Sequence, residues 1–165
     1  MSDSITFRPV TKDDERFLFH VYASTRADEM TQVPWTDEQK LEFLAMQFRA
    51  QSDHYALVFE NAAFLIIVRL GVDIGRLYID RQPDEIHLID IALLPEYRRG
   101  GLGTKLLNDV LEEGRTSNRK VTIYVEHFNP ARHLYDRLGF RHVDTNGVYH
   151  LMEWRADQPA ATPSN

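Results

Sequence analysis

The chain is 165 residues long, 43% hydrophobic and 27% charged, enough apolar material for one core and little room for a second. Its formal net charge of −6 disfavours nucleic acid as a partner, because phosphate binding needs a basic face. It has no cysteine, which excludes disulfides, thiolate metal sites and a covalent acyl-cysteine intermediate.

No apolar run approaches the roughly 20 residues of a membrane-spanning helix, so no membrane association is expected. Met1-Ser2-Asp3-Ser4 lacks the basic and apolar regions of a secretory signal, and a cytoplasmic location is the default. Ile5 to Val10 alternates apolar and polar residues and predicts a first strand. Thr11-Lys12-Asp13-Asp14 predicts a helix start with an acidic first turn, the helix running to about Arg26. Thr36-Asp37-Glu38-Gln39 is a capping box that opens a second helix to about Gln51, with Leu41, Leu44, Ala45 and Phe48 on its apolar face. Ala63 to Leu70, Ile74 to Asp80 and Glu85 to Leu93 read as strands, the first two joined by a turn at Gly71-Val72-Asp73. Gly101 to Ser117 is predicted helical, with Leu102, Leu106, Leu107, Val110 and Leu111 as its stripe, and Val121 to Val125 is a short strand. Asn129-Pro130 predicts a helix start and Leu138-Gly139 its end. Phe140 to Thr145 and Val148 to Trp154 flank Asn146-Gly147, the favoured two-residue hairpin turn. A single domain over residues 1–155 is expected, followed by a disordered tail over 156–165, rich in Pro, Ala and Ser. The order of elements predicts an α/β or α+β protein with a mixed sheet.

One segment carries most of the chemistry. A buried strand ends at Leu93, Pro95 stops further pairing, and the basic, glycine-rich turn Arg98-Arg99-Gly100-Gly101-Leu102-Gly103-Thr104 leads into a helix. Glycines let a backbone approach a phosphate, the N–H groups of a first helical turn point at it, and the helix dipole favours its charge by about 0.3–1 kcal/mol. Together with Arg98 and Arg99 this is an anion cradle suited to a pyrophosphate. A dinucleotide fingerprint would need glycine where Leu106 stands, and a P-loop would need Gly-Lys-Ser or Gly-Lys-Thr where Gly103-Thr104-Lys105 stands, so both are rejected.

The segment resembles the pyrophosphate loop of the GCN5-related N-acetyltransferase (GNAT) superfamily, in which Gln or Arg is followed by two residues, Gly, one residue, and Gly or Ala. Arg98, Gly101 and Gly103 occupy those places. Arg99 stands where many members have glycine, and Gly100 follows it. A second stretch, Asn129-Pro130-Ala131-Arg132-His133-Leu134-Tyr135-Asp136-Arg137-Leu138-Gly139-Phe140, resembles the superfamily's later motif of Asn, a helical Tyr and Leu-Gly-Phe. The resemblance runs from Phe64 to Trp154 and is weakest before Gly71. It implies the GNAT fold: a mixed central sheet of about six to seven strands flanked by about four helices, with a V-shaped opening between strands 4 and 5.

The resemblance also implies acetyl-CoA as co-substrate, with no metal. Ile91, Ala92 and Leu93 would run beside the pantetheine arm. Arg98, Arg99, Gly100, Gly101, Leu102, Gly103 and Thr104 would hold the pyrophosphate through backbone N–H groups. Asn129 would bond the pantetheine arm, Arg132 would approach it or a phosphate, and Tyr135 would stand near the thioester sulfur as general acid. The Leu93 N–H is the implied donor to a tetrahedral oxyanion. An attacking amine must be neutral, so a base is required. His87, with an ordinary pKa near ~6.5, lies where several members carry one, and a strand histidine at a sheet surface is the equal alternative. Glu85 shares its face by two-residue alternation and is the next candidate, while Asp90 falls on the other face unless a bulge intervenes.

Tyr22, Arg26, Glu29 and Trp35, on or between the first two helices, and Tyr149 on the last hairpin, are the implied acceptor wall. The acceptor is a primary amine of a small molecule or a polypeptide, and a homodimer is common in the superfamily. The competing expectation is a non-catalytic module that binds acyl-CoA and acts through a partner.

Overall fold

In the computed structural model, which describes residues 4–157, seven strands form one mixed sheet in the order β1-β2-β3-β4-β5-β7-β6. The strands are β1 (Ile5–Pro9), β2 (Ala63–Arg69), β3 (Val72–Arg81), β4 (Glu85–Leu93), β5 (Lys120–Glu126), β6 (Arg141–Asn146) and β7 (Tyr149–Trp154). The helices are α1 (Glu15–Thr31), α2 (Asp37–Val58), α3 (Leu102–Ser117) and α4 (Arg132–Leu138). Of the tail expected at 156–165, only Ala156 and Asp157 are among the described residues, and they form a turn.

Strands β4 and β5 are parallel, whereas β1 and β2, β5 and β7, and β6 and β7 are antiparallel. The β4–β5 pairing runs from Glu85↔Lys120 to Leu88↔Ile123 and stops there, although β4 continues to Leu93 and β5 to Glu126. The two strands part, which is the V-shaped opening of the expected fold. The chain divides into two compact units: the first holds residues up to Tyr78 and Ile91–Arg98, the second Ile79–Asp90 and the residues from Arg99 onward.

In the first unit, Thr11 and Asp14 make a capping box around a single 3-10 turn (Lys12–Asp14), and α1 follows. Helix α1 buries Leu18, Val21 and Tyr22, and α2 buries Leu44 and Phe48, whose ring packs 5.7 Å from both Tyr22 and Phe19. Leu41, expected on the buried face, is 54% exposed, whereas Phe48, two turns on along the same face, is buried against α1. Both helices outrun their expected ends. Ser52 to Val58 contains no Gly or Pro, and Tyr55 gains ring contacts with Tyr78 at 6.0 Å and Phe59 at 6.1 Å. The capping box of α2 forms as expected, Gln39 N–H donating to Thr36 Oγ1 over 3.1 Å and Thr36 N–H to Gln39 Oε1 over 3.0 Å.

The β2–β3 turn is shorter than expected. Leu70 and Gly71 take φ of +50° and +81°, the backbone of a two-residue hairpin turn, so Val72 and Asp73 belong to β3. This places Asp73 where Arg8 reaches it at 2.9 Å while also holding Asp14 at 2.8 Å.

In the second unit, α3 buries Leu102, Leu106, Leu107, Val110, Leu111 and Gly114, the expected stripe extended by one turn. A Cβ on Gly114 would stand 2.9 Å from the Arg119 carbonyl oxygen and 3.0 Å from Val121 Cγ2, so glycine lets the helix approach β5. The last hairpin is displaced by one residue. Asn146 pairs with Tyr149, so Gly147 (φ +61°) and Val148 form the turn, and a bulge between His142 and Asp144 absorbs the register change.

Candidate active site

In the first unit, Gly75 of β3 faces the end of β4. A Cβ there would meet the Ala92 carbonyl oxygen at 2.3 Å and Leu93 Cα at 3.1 Å, so the two backbones touch. The Leu94 N–H donates to the Ile74 carbonyl over 2.9 Å. Ile91 and Ala92 are half-buried and Leu93 is buried. Arg98 donates from Nε to the Leu93 carbonyl over 2.9 Å and from Nη2 to Ser24 Oγ over 3.0 Å. Its guanidinium is therefore a tie on the carbonyl at the end of β4.

In the second unit, the loop opens α3. Arg99 and Gly101 both take left-handed backbone, φ +66° and +80°, and Gly101 stands at the helix N-cap without a side-chain oxygen to cap it. The first backbone bond of the helix runs from Lys105 N–H to the Gly101 carbonyl at 3.0 Å. Among the described residues, no backbone carbonyl takes up the N–H groups of Arg99, Gly100, Gly101, Leu102, Gly103 or Thr104. Arg99, Gly100 and Gly101 are exposed. A run of free donors at the positive end of a 16-residue helix is a site for an anion.

The same unit holds a buried polar chain. His87 of β4 pairs in register with Thr122 of β5, and the His87 Nδ1 lies 2.8 Å from Thr122 Oγ1. The Thr122 hydroxyl in turn donates to Glu85 Oε1. His87 is 8% exposed and Thr122 3%, and the Tyr124 ring packs against the imidazole in a T-shaped arrangement with centroids 5.6 Å apart. Burial holds the imidazole below its ordinary pKa, against the opposing pull of Glu85 and then Asp80. His87 is thus an interior group with polar partners; the expected surface alternative does not describe it.

Tyr135 of α4 is 6% exposed, with Phe140 edge-on at 5.5 Å. Burial, followed by the charge of Asp90, raises its phenol well above the ordinary value, so the proton stays on through neutral pH. Asn129 does not open α4, which begins at Arg132; its Oδ1 instead accepts the Ala131 N–H over 2.9 Å and fixes a turn ahead of the helix. Arg132 donates from Nη1 to the His127 carbonyl over 2.6 Å, which holds its guanidinium against the β5–α4 turn.

The expected acceptor residues are dispersed in character. Tyr22 is a core residue whose hydroxyl donates to Gln47 Oε1 over 3.2 Å. Arg26 lies over the Tyr22 ring at 5.5 Å and pairs with exposed Glu29 at 3.3 Å. Trp35 is 43% exposed and stacked edgewise on Phe43 at 5.2 Å. Tyr149 is exposed on β7, in register with Glu126. Three residues with structural consequence escape a sequence reading: Gly75, Ser24 and Thr122. Each acts through a non-local partner, and only Gly75, a glycine inside a strand, carries a local sign of close backbone approach. Among the described residues, no group of three or more His, Asp or Glu is placed to hold a metal, and no helix is long and apolar enough to cross a membrane.

Comparison with known proteins agrees with this geometry. Residues 19–140 match the Acetyltransferase (GNAT) family. A curated relative, the [ribosomal protein bS18]-alanine N-acetyltransferase of Haemophilus influenzae, is 34% identical over 68 residues, 41% of this chain; the match spans about half of that relative, 47% of its length. Among solved structures, the PaiA N-acetyltransferase of Thermoplasma acidophilum in complex with coenzyme A superposes with a TM-score of 0.67 at 20% identity, covering 92% of this chain and 99% of that one. A GNAT family acetyltransferase from Elizabethkingia anophelis with acetyl-CoA bound gives 0.59 at 17% identity, covering 93% and 99%. The parted strands, the open-amide loop and the family match agree: this chain is a member of the GNAT family of acetyltransferases.

Proposed function

We propose that the chain transfers an acetyl group from acetyl-CoA directly to a primary amine of a small molecule or a polypeptide. The observation that carries this is the loop from Arg99 to Thr104, whose N–H groups have no backbone acceptor among the described residues and whose left-handed Arg99 and Gly101 open α3 in the manner of an anion-binding turn. A pyrophosphate is the anion whose length and charge suit a loop plus a first helical turn. The reading takes residues 1–155 as one acyltransferase domain acting in the cytoplasm.

Acetyl-CoA supplies the activated acyl group. In this reading the backbone of Ile91, Ala92 and Leu93 would run beside the pantetheine arm, Asn129 and Arg132 would add contacts, and the Leu93 N–H would donate to the oxygen that becomes negative. His87 takes the proton that the ammonium must lose before its nitrogen can attack, a role worth roughly 10²–10⁴-fold. Tyr135, protonated at neutral pH, returns a proton to the departing thiolate. The C–N bond forms first, giving the oxyanion. As it collapses the C–S bond breaks, and the proton the acylated nitrogen sheds makes good the one Tyr135 gave to sulfur, leaving an N-acetylated amine and free coenzyme A. Tyr22, Arg26, Glu29, Trp35 and Tyr149 are the residues assigned to the acceptor.

The absence of cysteine gives a clean assay, because a thiol reagent then reports only coenzyme A released during turnover. A panel of polyamines, amino acids, aminoglycosides and peptides beginning with alanine, the last suggested by the named activity of the Haemophilus relative, should include an acceptor that releases thiol above the rate without amine. Tight binding of acetyl-CoA with no release for any amine would favour the non-catalytic acyl-CoA-binding module.

A further inference from the structure

We propose that Thr122 is a positioning residue that, with Glu85, fixes the proton of His87 on Nδ1 and thereby makes Nε2 the basic nitrogen of the ring. This deepens the acetyl-transfer reading, on which its kinetic consequence rests.

The argument starts from register. Parallel pairing sets His87 of β4 opposite Thr122 of β5, so the two side chains stand on one face of the sheet. A hydroxyl has one proton to give, and here Thr122 gives it to Glu85, whose ionised carboxylate can accept but has no proton to donate. The Thr122 oxygen is then left to accept, and His87 Nδ1 lies against it at 2.8 Å. The neutral ring satisfies that contact only as the Nδ1–H tautomer, with its lone pair on Nε2. Glu85, expected in sequence as a substitute base, becomes the far end of this chain instead. Burial makes the order costly to break, since Thr122 is 3% exposed and a donor left there without an acceptor would lose its solvation.

The charges around the imidazole support the arrangement. Glu85 on β4 and Asp80 on β3 both favour the protonated ring, and burial opposes them. Asp80 is itself buried and accepts the Gln82 side-chain amide at 3.0 Å. From β5, His87 is faced by Thr122 and by the Tyr124 ring. The Thr122–Glu85 contact thus sets which nitrogen acts and raises its basicity against the loss from burial.

The test uses the full chain with 15N-labelled histidine. Two-bond 1H–15N correlation spectra near neutral pH should show His87 protonated on Nδ1 in the wild type. Thr122→Val, close in shape and lacking the hydroxyl, should shift His87 to the Nε2–H form or to a mixture, and Thr122→Ser should restore Nδ1–H. With an acceptor amine in hand, kcat should fall roughly 10-fold or more in Thr122→Val, with little change in the KM for acetyl-CoA, and recover in Thr122→Ser. Glu85→Gln should lower the pH midpoint of the His87 titration. His87 found as Nε2–H in the wild type, or unmoved in Thr122→Val, overturns the proposal, as does an unchanged kcat alongside a switched tautomer. Tautomers that behave as expected in a chain that acetylates no amine would leave the proton placement standing and sink the acetyl-transfer reading alone.

Discussion

One chemical change, glycine to alanine, should have three different effects at three positions in and around the loop. At Gly75 the added carbon would sit 2.3 Å from the Ala92 carbonyl oxygen, where real contacts do not fall below 3.0 Å, so β3 and β4 must separate by about 0.7 Å (3.0 less 2.3). The obstacle is backbone, with Leu93 Cα also at 3.1 Å, and no flexible side chain can yield in its place. Overpacking of this kind costs about 2–3 kcal/mol, which for a chain of this size lowers the melting temperature by about 4–12 °C. At Gly101 nothing lies within 4 Å of the added carbon, and the penalty comes only from φ of +80°, about 1 kcal/mol or 2–4 °C. At Gly100 there is neither a neighbour within 4 Å nor a left-handed backbone, and the change should fall within about 0.5 kcal/mol of the wild type. Thermal melts of the three variants, with urea titrations as a check, should therefore rank Gly75→Ala as the least stable, Gly101→Ala next and Gly100→Ala unchanged. A Gly75→Ala protein as stable as the wild type would refute the reasoning, since it would mean that β3 and β4 are not in backbone contact at Ala92.

Other outcomes follow from the same geometry. Tyr135→Phe should lower kcat about 10²-fold or more while leaving coenzyme A affinity nearly intact, measured by thiol release and by calorimetry on the same protein. Because burial depresses the His87 pKa, the acid limb of kcat should have its midpoint below the ordinary histidine value, and His87→Ala should abolish that limb. The Arg8 guanidinium holds Asp14 down from 3.8 to about 2, so its contribution to stability is present above the unfolded value and is lost as pH falls from about 4 toward 2. Arg8 is 38% exposed and screened, which limits that contribution to about 1–2 kcal/mol. Asp14→Asn should remove it and flatten the dependence of melting temperature on pH across that range.

Much of this was legible in the residues. Strand β4 begins at Glu85 and ends at Leu93 as the apolar run and Pro95 predict, and α3 carries the expected stripe, because these elements are set by local periodicity. Where propensity alone decides an end, the reading slips. Both α1 and α2 run on through residues without breakers, and the last hairpin turns at Gly147-Val148 because the bulge near His142 resets the register. Asn129 illustrates a local signal with the right chemistry and the wrong span: its side chain caps, but it caps a turn three residues ahead of α4. Thr122 was invisible. A threonine in a strand reads as an ordinary β-former, and only the parallel register shows that it stands against His87.

The most direct test of the loop's role is a calorimetric comparison of coenzyme A with pantetheine, which keeps the arm and lacks the pyrophosphate. Coenzyme A should bind at micromolar concentrations, with pantetheine at least 100-fold weaker, a difference of about 2.7 kcal/mol that the open N–H groups of Arg99 to Thr104 can supply. Equal affinity for the two, or no detectable coenzyme A binding, would contradict the account.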